Sequence, residues 1–251
     1  MELLNKFVLN HFNEKTYRSY VEDRSCPITS VLDKVGIDSG RVLCIGFDPL
    51  VLDLQDLFEF DVLCKDLKVR DKVEELYPNN SITWISNDLI DHCIQLSLGV
   101  SKKYDVILGL DQYLTFVVGE EKQAEHISYI TDLLTDDGVF LTTTLDYKNT
   151  HHSRRVFLDP YLFTVDDSSY IFVSSREWDK ADRKKWKHNS YVIDCKTGES
   201  SLFDSELRQA IFFKQLAHHA AVNGKTKFTV HKNITYKPLH SNEGQFIITI
   251  Q

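Results

Sequence analysis

The chain has 251 residues, 42% apolar and 26% charged, with 29 Lys and Arg against 37 Asp and Glu, for a net charge of −8. That length holds one large core, and a second full domain would be cramped. The acidic balance, with a pI of about 5.7, repels a phosphate backbone and argues against nucleic acid as a partner.

Met1–Phe12 is apolar only in short pieces broken by Glu2, Lys6 and His11, unlike a secretory leader. No stretch reaches the roughly 18–20 apolar residues a membrane span requires. The five cysteines (Cys26, Cys44, Cys64, Cys93, Cys195) include no C-x-x-C pair, so neither a zinc ribbon nor a disulfide framework is expected, and no metal. A reduced, cytoplasmic protein without membrane contact is expected.

Leu3–Tyr20 reads as an N-terminal helix and Ile28–Val35 as a second, closed by Gly36. Arg41–Gly46 is a short apolar run ending at glycine. Its lack of alternation suits a strand covered on both faces. Asp48-Pro49 then opens a helix through Phe58, since Asp is a favoured N-cap and Pro a favoured first helical residue. Phe60–Cys64 is the next strand, followed by Asp66 and a helix over Val69–Tyr77. Ile82–Ser86 and Tyr104–Leu110 are further strands, Glu121–Leu134 has helical spacing, and Val139–Leu145 is a fifth strand. Strand and helix alternate through this region, the signature of a doubly wound parallel sheet. The ligand crevice then lies at the carboxyl ends of the strands.

After Asp146 the texture changes to aromatic and basic residues. Tyr170–Ser174 and Ser190–Asp194 alternate and are expected to pair as antiparallel strands of a flap. Leu207–Val222 reads as a helix, and Lys227–Tyr236 and Gln245–Gln251 as two closing strands. The expected organisation is a single domain, with a helical cap over 1–38 and a cofactor-binding half over 39–147. A flap follows over 148–204, and 205–251 forms the closing helix and hairpin.

A nucleotide site needs a glycine turn at the first strand tip and an acid at the end of the next strand to accept from ribose hydroxyls. Gly46 ends the first strand and Asp66 stands twenty residues later. The strand at Trp84–Ser86 ends in Asn87-Asp88, where an acid or amide can meet an adenine edge; a plain turn is the alternative. Together, Val42–Leu50, Asp66, Asn87-Asp88 and Tyr104–Leu110 resemble, in order and spacing, the motifs of class I S-adenosylmethionine-dependent methyltransferases. The resemblance covers about residues 15–147 and 205–251.

It implies a doubly wound, mainly parallel seven-stranded sheet with an antiparallel C-terminal strand, a helical cap and a small β-rich flap. It also implies S-adenosylmethionine as cofactor, held by Gly46, Asp48, Asp66, Asn87, Asp88 and Leu110, with Asp66 on the ribose and Asp88 near the adenine. The glycine loop departs from the family pattern. Asp48 and Leu50 stand where its second and third glycines belong, and Cys44 replaces the usual acid in the first strand. Residues forced into a glycine-type backbone cost about 1–3 kcal/mol each, so a strained and weakened cofactor loop is expected.

Tyr113, His151 and His152 are the candidate bases or orienters for methyl transfer by proximity. Tyr17, Tyr20, Arg154 and Trp178 are the candidate substrate contacts. The acceptor expected is a small molecule or a protein side chain, and a protein partner or homo-oligomer is left open. Two other readings remain: a catalytically inactive binding or assembly module on the same fold, and a nicotinamide-dependent oxidoreductase. The latter is disfavoured because Gly46-Phe-Asp-Pro-Leu50 lacks the second and third fingerprint glycines.

Overall fold

The apolar runs form the expected parallel strands, seen in a computed structural model that describes residues 14–86, 88–98, 103–148, 155–158, 160–165, 167–236 and 245–251. In chain order, α1 (Glu14–Val35) leads to β1 (Gly40–Ile45), α2 (Leu50–Leu54), β2 (Phe58–Leu63), α3 (Leu67–Leu76) and β3 (Thr83–Ile85). Then come α4 (Leu89–Leu98), β4 (Tyr104–Gly109), a 3₁₀ turn (Tyr113–Phe116), α5 (Glu120–Leu133) and β5 (Leu134–Thr144). The flap is built from β6 (Arg155–Phe157), β7 (Tyr161–Val165), β8 (Ser168–Trp178), β9 (Lys185–Asp194) and β10 (Ser200–Gln209). The chain closes with α6 (Phe213–Val222), β11 (Phe228–Tyr236) and β12 (Gln245–Ile250).

The main sheet has seven strands in the order β11-β12-β5-β4-β1-β2-β3. The five strands from β5 to β3 pair in parallel. Only β12 runs against its neighbours, pairing antiparallel with β5 and β11. Strand order reverses between β1 and β4, which makes their carboxyl tips the place for a ligand.

Alternate residues of each strand divide between two cores. Val42, Cys44, Val106 and Leu108 pack with Ile28, Val31 and Leu32 of α1 and Leu50, Val51 and Leu54 of α2. Leu43, Ile107, Phe140 and Ile248 pack on the other face with Leu89 of α4, Ile127 and Ile130 of α5, and Leu216 of α6. Truncating such fully buried aliphatic residues to Ala costs about 2–5 kcal/mol each.

Beside the helix expected through Phe58, which stops at Leu54 because Phe58 pairs with Gly40 as β2 begins, three differences from the sequence reading have local causes. The two expected N-terminal helices join in α1, which carries Pro27 in its interior; missing one backbone donor, Pro interrupts the ladder without ending a helix that the core holds. Gly36, at φ +81, ends it, and Ile37 N–H reaches back to Leu32 O at 3.0 Å. Second, Asp136-Asp137-Gly138 does not stop α5 but lies inside β5, where the register against β4 shifts. A Cβ at Gly138 would come within 2.9 Å of Tyr104 O. Third, residues 207–209, expected to be helical, belong to β10, whose pairing with β9 overrides their helical spacing.

The flap sheet has the order β10-β9-β8-β6, with β7 also on β8, and β8 and β9 pair Tyr170 with Asp194 and Ser174 with Ser190. No helix among the described residues is long and apolar enough to cross a membrane.

Candidate functional site at the strand tips

Gly46 closes β1 at φ +85, exposed, with its N–H bonded to Leu63 O of β2 at 2.9 Å. A Cβ built there would meet nothing within 4 Å. The tip of β1 is therefore open to a ligand approaching the backbone, and the conformation is one that a side chain disfavours.

The strain expected in the following residues is absent. Neither Asp48 nor Leu50 has a positive φ. Pro49 is right-handed helical and Leu50 is fully buried as the first residue of α2. The loop has instead taken an ordinary turn into the helix, with Asp48 Oδ1 accepting from Leu50 N at 3.0 Å. Left-handed backbone at non-glycine residues occurs at the tip of β4, where Asp111 has φ 50 and Gln112 φ 60. Two such neighbours cost of order 1–3 kcal/mol each.

Between those two tips lies a polar cluster that the sequence reading missed. Arg24 of α1, 1% exposed, donates to Asp48 Oδ2 at 2.6 Å and to Asp111 Oδ2 at 3.0 Å. Tyr236, at the end of β11 and fully buried, donates from its hydroxyl to Asp48 Oδ2 at 2.6 Å and also meets Arg24. Burial foremost, joined by the Asp111 and Asp48 charges, pushes the Tyr236 phenol up, so it stays a donor. Burial also raises Asp111, which Arg24 partly offsets and Asp48 reinforces. The Asp111 side chain is 39% exposed, yet its Oδ1 is buried without a hydrogen-bond partner among the described residues. In sequence, the only signals were an acid directly after the apolar run of β4 and one of the two Arg residues in the helix preceding β1.

Asp66 and Asp88 stand at the tips of β2 and β3, next to Gly46 in sheet order. Both also begin helices. Asp66 Oδ1 accepts from Lys68 N at 2.9 Å and Asp88 Oδ1 from Asp91 N at 2.8 Å. Lys65 Nζ reaches Asp88 Oδ2 at 3.2 Å and ties the two tips together. The Asp91 N–H, with Lys65, holds Asp88 below the usual carboxylate range. Phe47 and Trp84 pack at 5.6 Å between ring centroids beside the same tips.

The remaining expected site residues divide. Leu110 is buried in the core at the β4 tip. Tyr113 follows it, its hydroxyl 2.8 Å from His126 Nδ1 of α5. Burial raises the Tyr113 phenol and lowers the His126 imidazole; such a phenol orients or donates and is a poor base. Trp178, expected to face a substrate, is instead 4% exposed in an aromatic core with Tyr147 and Trp186, its ring 4.8 Å from that of Trp186. Its strand β8 pairs it opposite Trp186 on the inner face of the flap. Asn87, His151, His152 and Arg154 lie outside the described residues, as do the side chains of Tyr17 and Tyr20 on α1.

Comparison with solved structures places this architecture. A methyltransferase dependent on S-adenosylmethionine from Clostridium acetobutylicum superposes with a TM-score of 0.68 at 10% identity, covering 99% of this chain and 98% of that one. An amino pentose methyltransferase from Micromonospora echinaspora, solved with S-adenosylmethionine bound, gives 0.67 at 10% identity over 100% and 98%. The chain has the class I methyltransferase fold. A sugar N-methyltransferase from Streptoalloteichus adds a TM-score of 0.66 at 10% identity over 96% and 90%. No family model matches the sequence, and no curated protein does. Within the methyltransferase fold, Gly46, Asp66, Asp88 and Asp111 occupy the tips of four adjacent strands.

Proposed function

We propose that the protein is a methyltransferase that uses S-adenosylmethionine and acts on a small molecule. The observation that carries this reading is the open, positive-φ tip at Gly46 flanked by carboxylates on the tips of β2, β3 and β4. The donor set fits the cofactor. Asp66 has one oxygen uncommitted to its capping bond, suited to the ribose hydroxyls. Asp88 stands at the adenine end, with Asn87 its neighbour in sequence. The Asp111 carboxylate, 39% exposed at its side chain, is the group we assign to the ammonium of the methionine portion, and Asp48 positions Arg24 beside it. When bound, the cofactor supplies a methyl group made electrophilic by its sulfonium.

The chain's own contribution is orientation and electrostatics. Arg24 offsets the two carboxylates that face each other across the crevice, holding the β1 and β4 tips in register. Tyr113, kept protonated by burial, orients groups near the β4 tip, and His151 and His152 are the proposed bases. The small-molecule acceptor is supported by likeness to an amino pentose and a sugar N-methyltransferase. Titration calorimetry with S-adenosylhomocysteine tests the reading: one site per chain is expected, weakened by Asp66→Ala. No heat and no thermal shift at millimolar ligand overturns it.

A second reading is favoured by one observation. Arg24, Asp48 and Tyr236 bond to one another at the switch point, as in a crevice sealed to make a binding or assembly module. Methyl transfer to any acceptor in a cell-extract screen excludes that module.

A further inference from the structure

Away from Gly46, beyond the tip of β5, lies a cavity of about 480 Å3. Leu145, Tyr147, Phe212, Phe213, Val230 and Phe246 form its apolar wall. Its size is that of a small-molecule site, and its wall is continuous with two buried cores. Phe213 and Phe246 meet edge to face at 6.0 Å, which leaves ring faces and edges available to a flat guest. Two larger hollows, of about 1020 and 730 Å3, are polar, more open surface depressions, the first at the amino ends of β1 and β2.

What distinguishes the smaller cavity is charge. Lys148, Lys214 and Lys232 line it against a single carboxylate, Asp146. None of the three ammonium groups makes an ion pair among the described residues, in a chain whose net charge is −8. Lys214 moreover sits in the first turn of the ten-residue α6, which has no acidic residue there. A cation at that end opposes the helix dipole, and an anion beside it removes the conflict.

We propose that this cavity binds a small molecule with an apolar, ring-sized body and one anionic group, the body on the Phe and Tyr walls and the anion among Lys148, Lys214 and Lys232. This assignment stands apart from methyl transfer and is tested by binding alone.

The probes are 8-anilinonaphthalene-1-sulfonate and its uncharged analogue N-phenyl-1-naphthylamine, titrated by fluorescence against the full chain without cofactor. The sulfonate is expected to bind at one saturable site, about tenfold or more tighter than the neutral dye. The exposed pair Lys214→Glu and Lys232→Glu is expected to weaken the sulfonate at least about tenfold and leave the neutral dye within about twofold. Val230→Phe, which narrows the cavity without touching a lysine, is expected to weaken both dyes. Should that variant misfold by its thermal midpoint, the lysine pair decides alone. Equal affinity for both dyes, or sulfonate binding indifferent to the lysine reversal, overturns the proposal. Cofactor calorimetry is unaffected by either result, so failure here is distinct from failure of the methyltransferase reading.

Discussion

Replacing Arg24 by Met keeps the aliphatic stem and removes the charge that two carboxylates share. Arg24 is 1% exposed and the Asp48 side chain 6%, so Asp48 would be left ionised in a nearly dry site. Removing one member of a buried pair costs about 3–5 kcal/mol. Asp48 keeps bonds from Tyr236 and Leu50 N, and Asp111, at 39% side-chain exposure, can turn towards water. The lower end, about 3 kcal/mol, is therefore expected. For a chain of this size each kcal/mol moves the midpoint by about 2–4 °C, which gives a fall of roughly 6–12 °C in a thermal melt followed by circular dichroism. Adding Asp48→Asn removes the stranded charge, and the double variant is expected to recover at least half of the loss through pairwise coupling. A single variant that melts within about 2 °C of the parent would refute the idea that this cluster holds the β1 and β4 tips together.

Gly46→Ala is expected to cost about 1–2 kcal/mol, from backbone strain alone because nothing crowds the added Cβ, and to abolish S-adenosylhomocysteine binding in a thermal-shift assay. Asp66→Ala and Asp88→Ala each remove a helix N-cap bond; urea melts are expected to show about 1 kcal/mol lost for each. Burial lowers the imidazoles of His92, His126, His219 and His231 below their ordinary value of 6.5. The unfolded chain therefore takes up protons first as pH falls through that value, so stability is full above it and declines below. The urea midpoint is expected to be lower at pH 5.5 than at pH 7.5, and an unchanged or higher midpoint contradicts this.

The fold was legible because its central strands are short, mostly apolar runs without strict alternation. Val42–Ile45 and Val106–Leu108 have no polar face to offer, so a sheet covered on both sides accommodates them. Gly46, Asp66 and Asp88 could be placed at neighbouring tips because each ends or follows such a run. Reading the glycine loop as strained failed at Asp48 and Leu50, since the chain takes an ordinary right-handed turn there into α2. The strain instead resides at Asp111 and Gln112, whose sequence carries no glycine to mark it. Arg24, Asp48 and Tyr236 come from a helix, a loop and the last hairpin, 212 residues apart at the extremes. Only the packing of α1 across the sheet brings them together, and no local pattern encodes that. Trp178 was misread for a similar reason: alternation on β8 tells which residues share a face but not which face is covered.

Hydrogen exchange with and without S-adenosylhomocysteine tests the central claim most directly, because it reports where a ligand sits as well as whether it binds. Slowed amide exchange is predicted at the tips of β1, β2 and β3, around Gly46, Cys64–Leu67 and Asp88–Asp91, together with the β4 tip at Asp111. Unchanged exchange at those four tips under saturating ligand, or protection confined to another part of the sheet, would contradict the account.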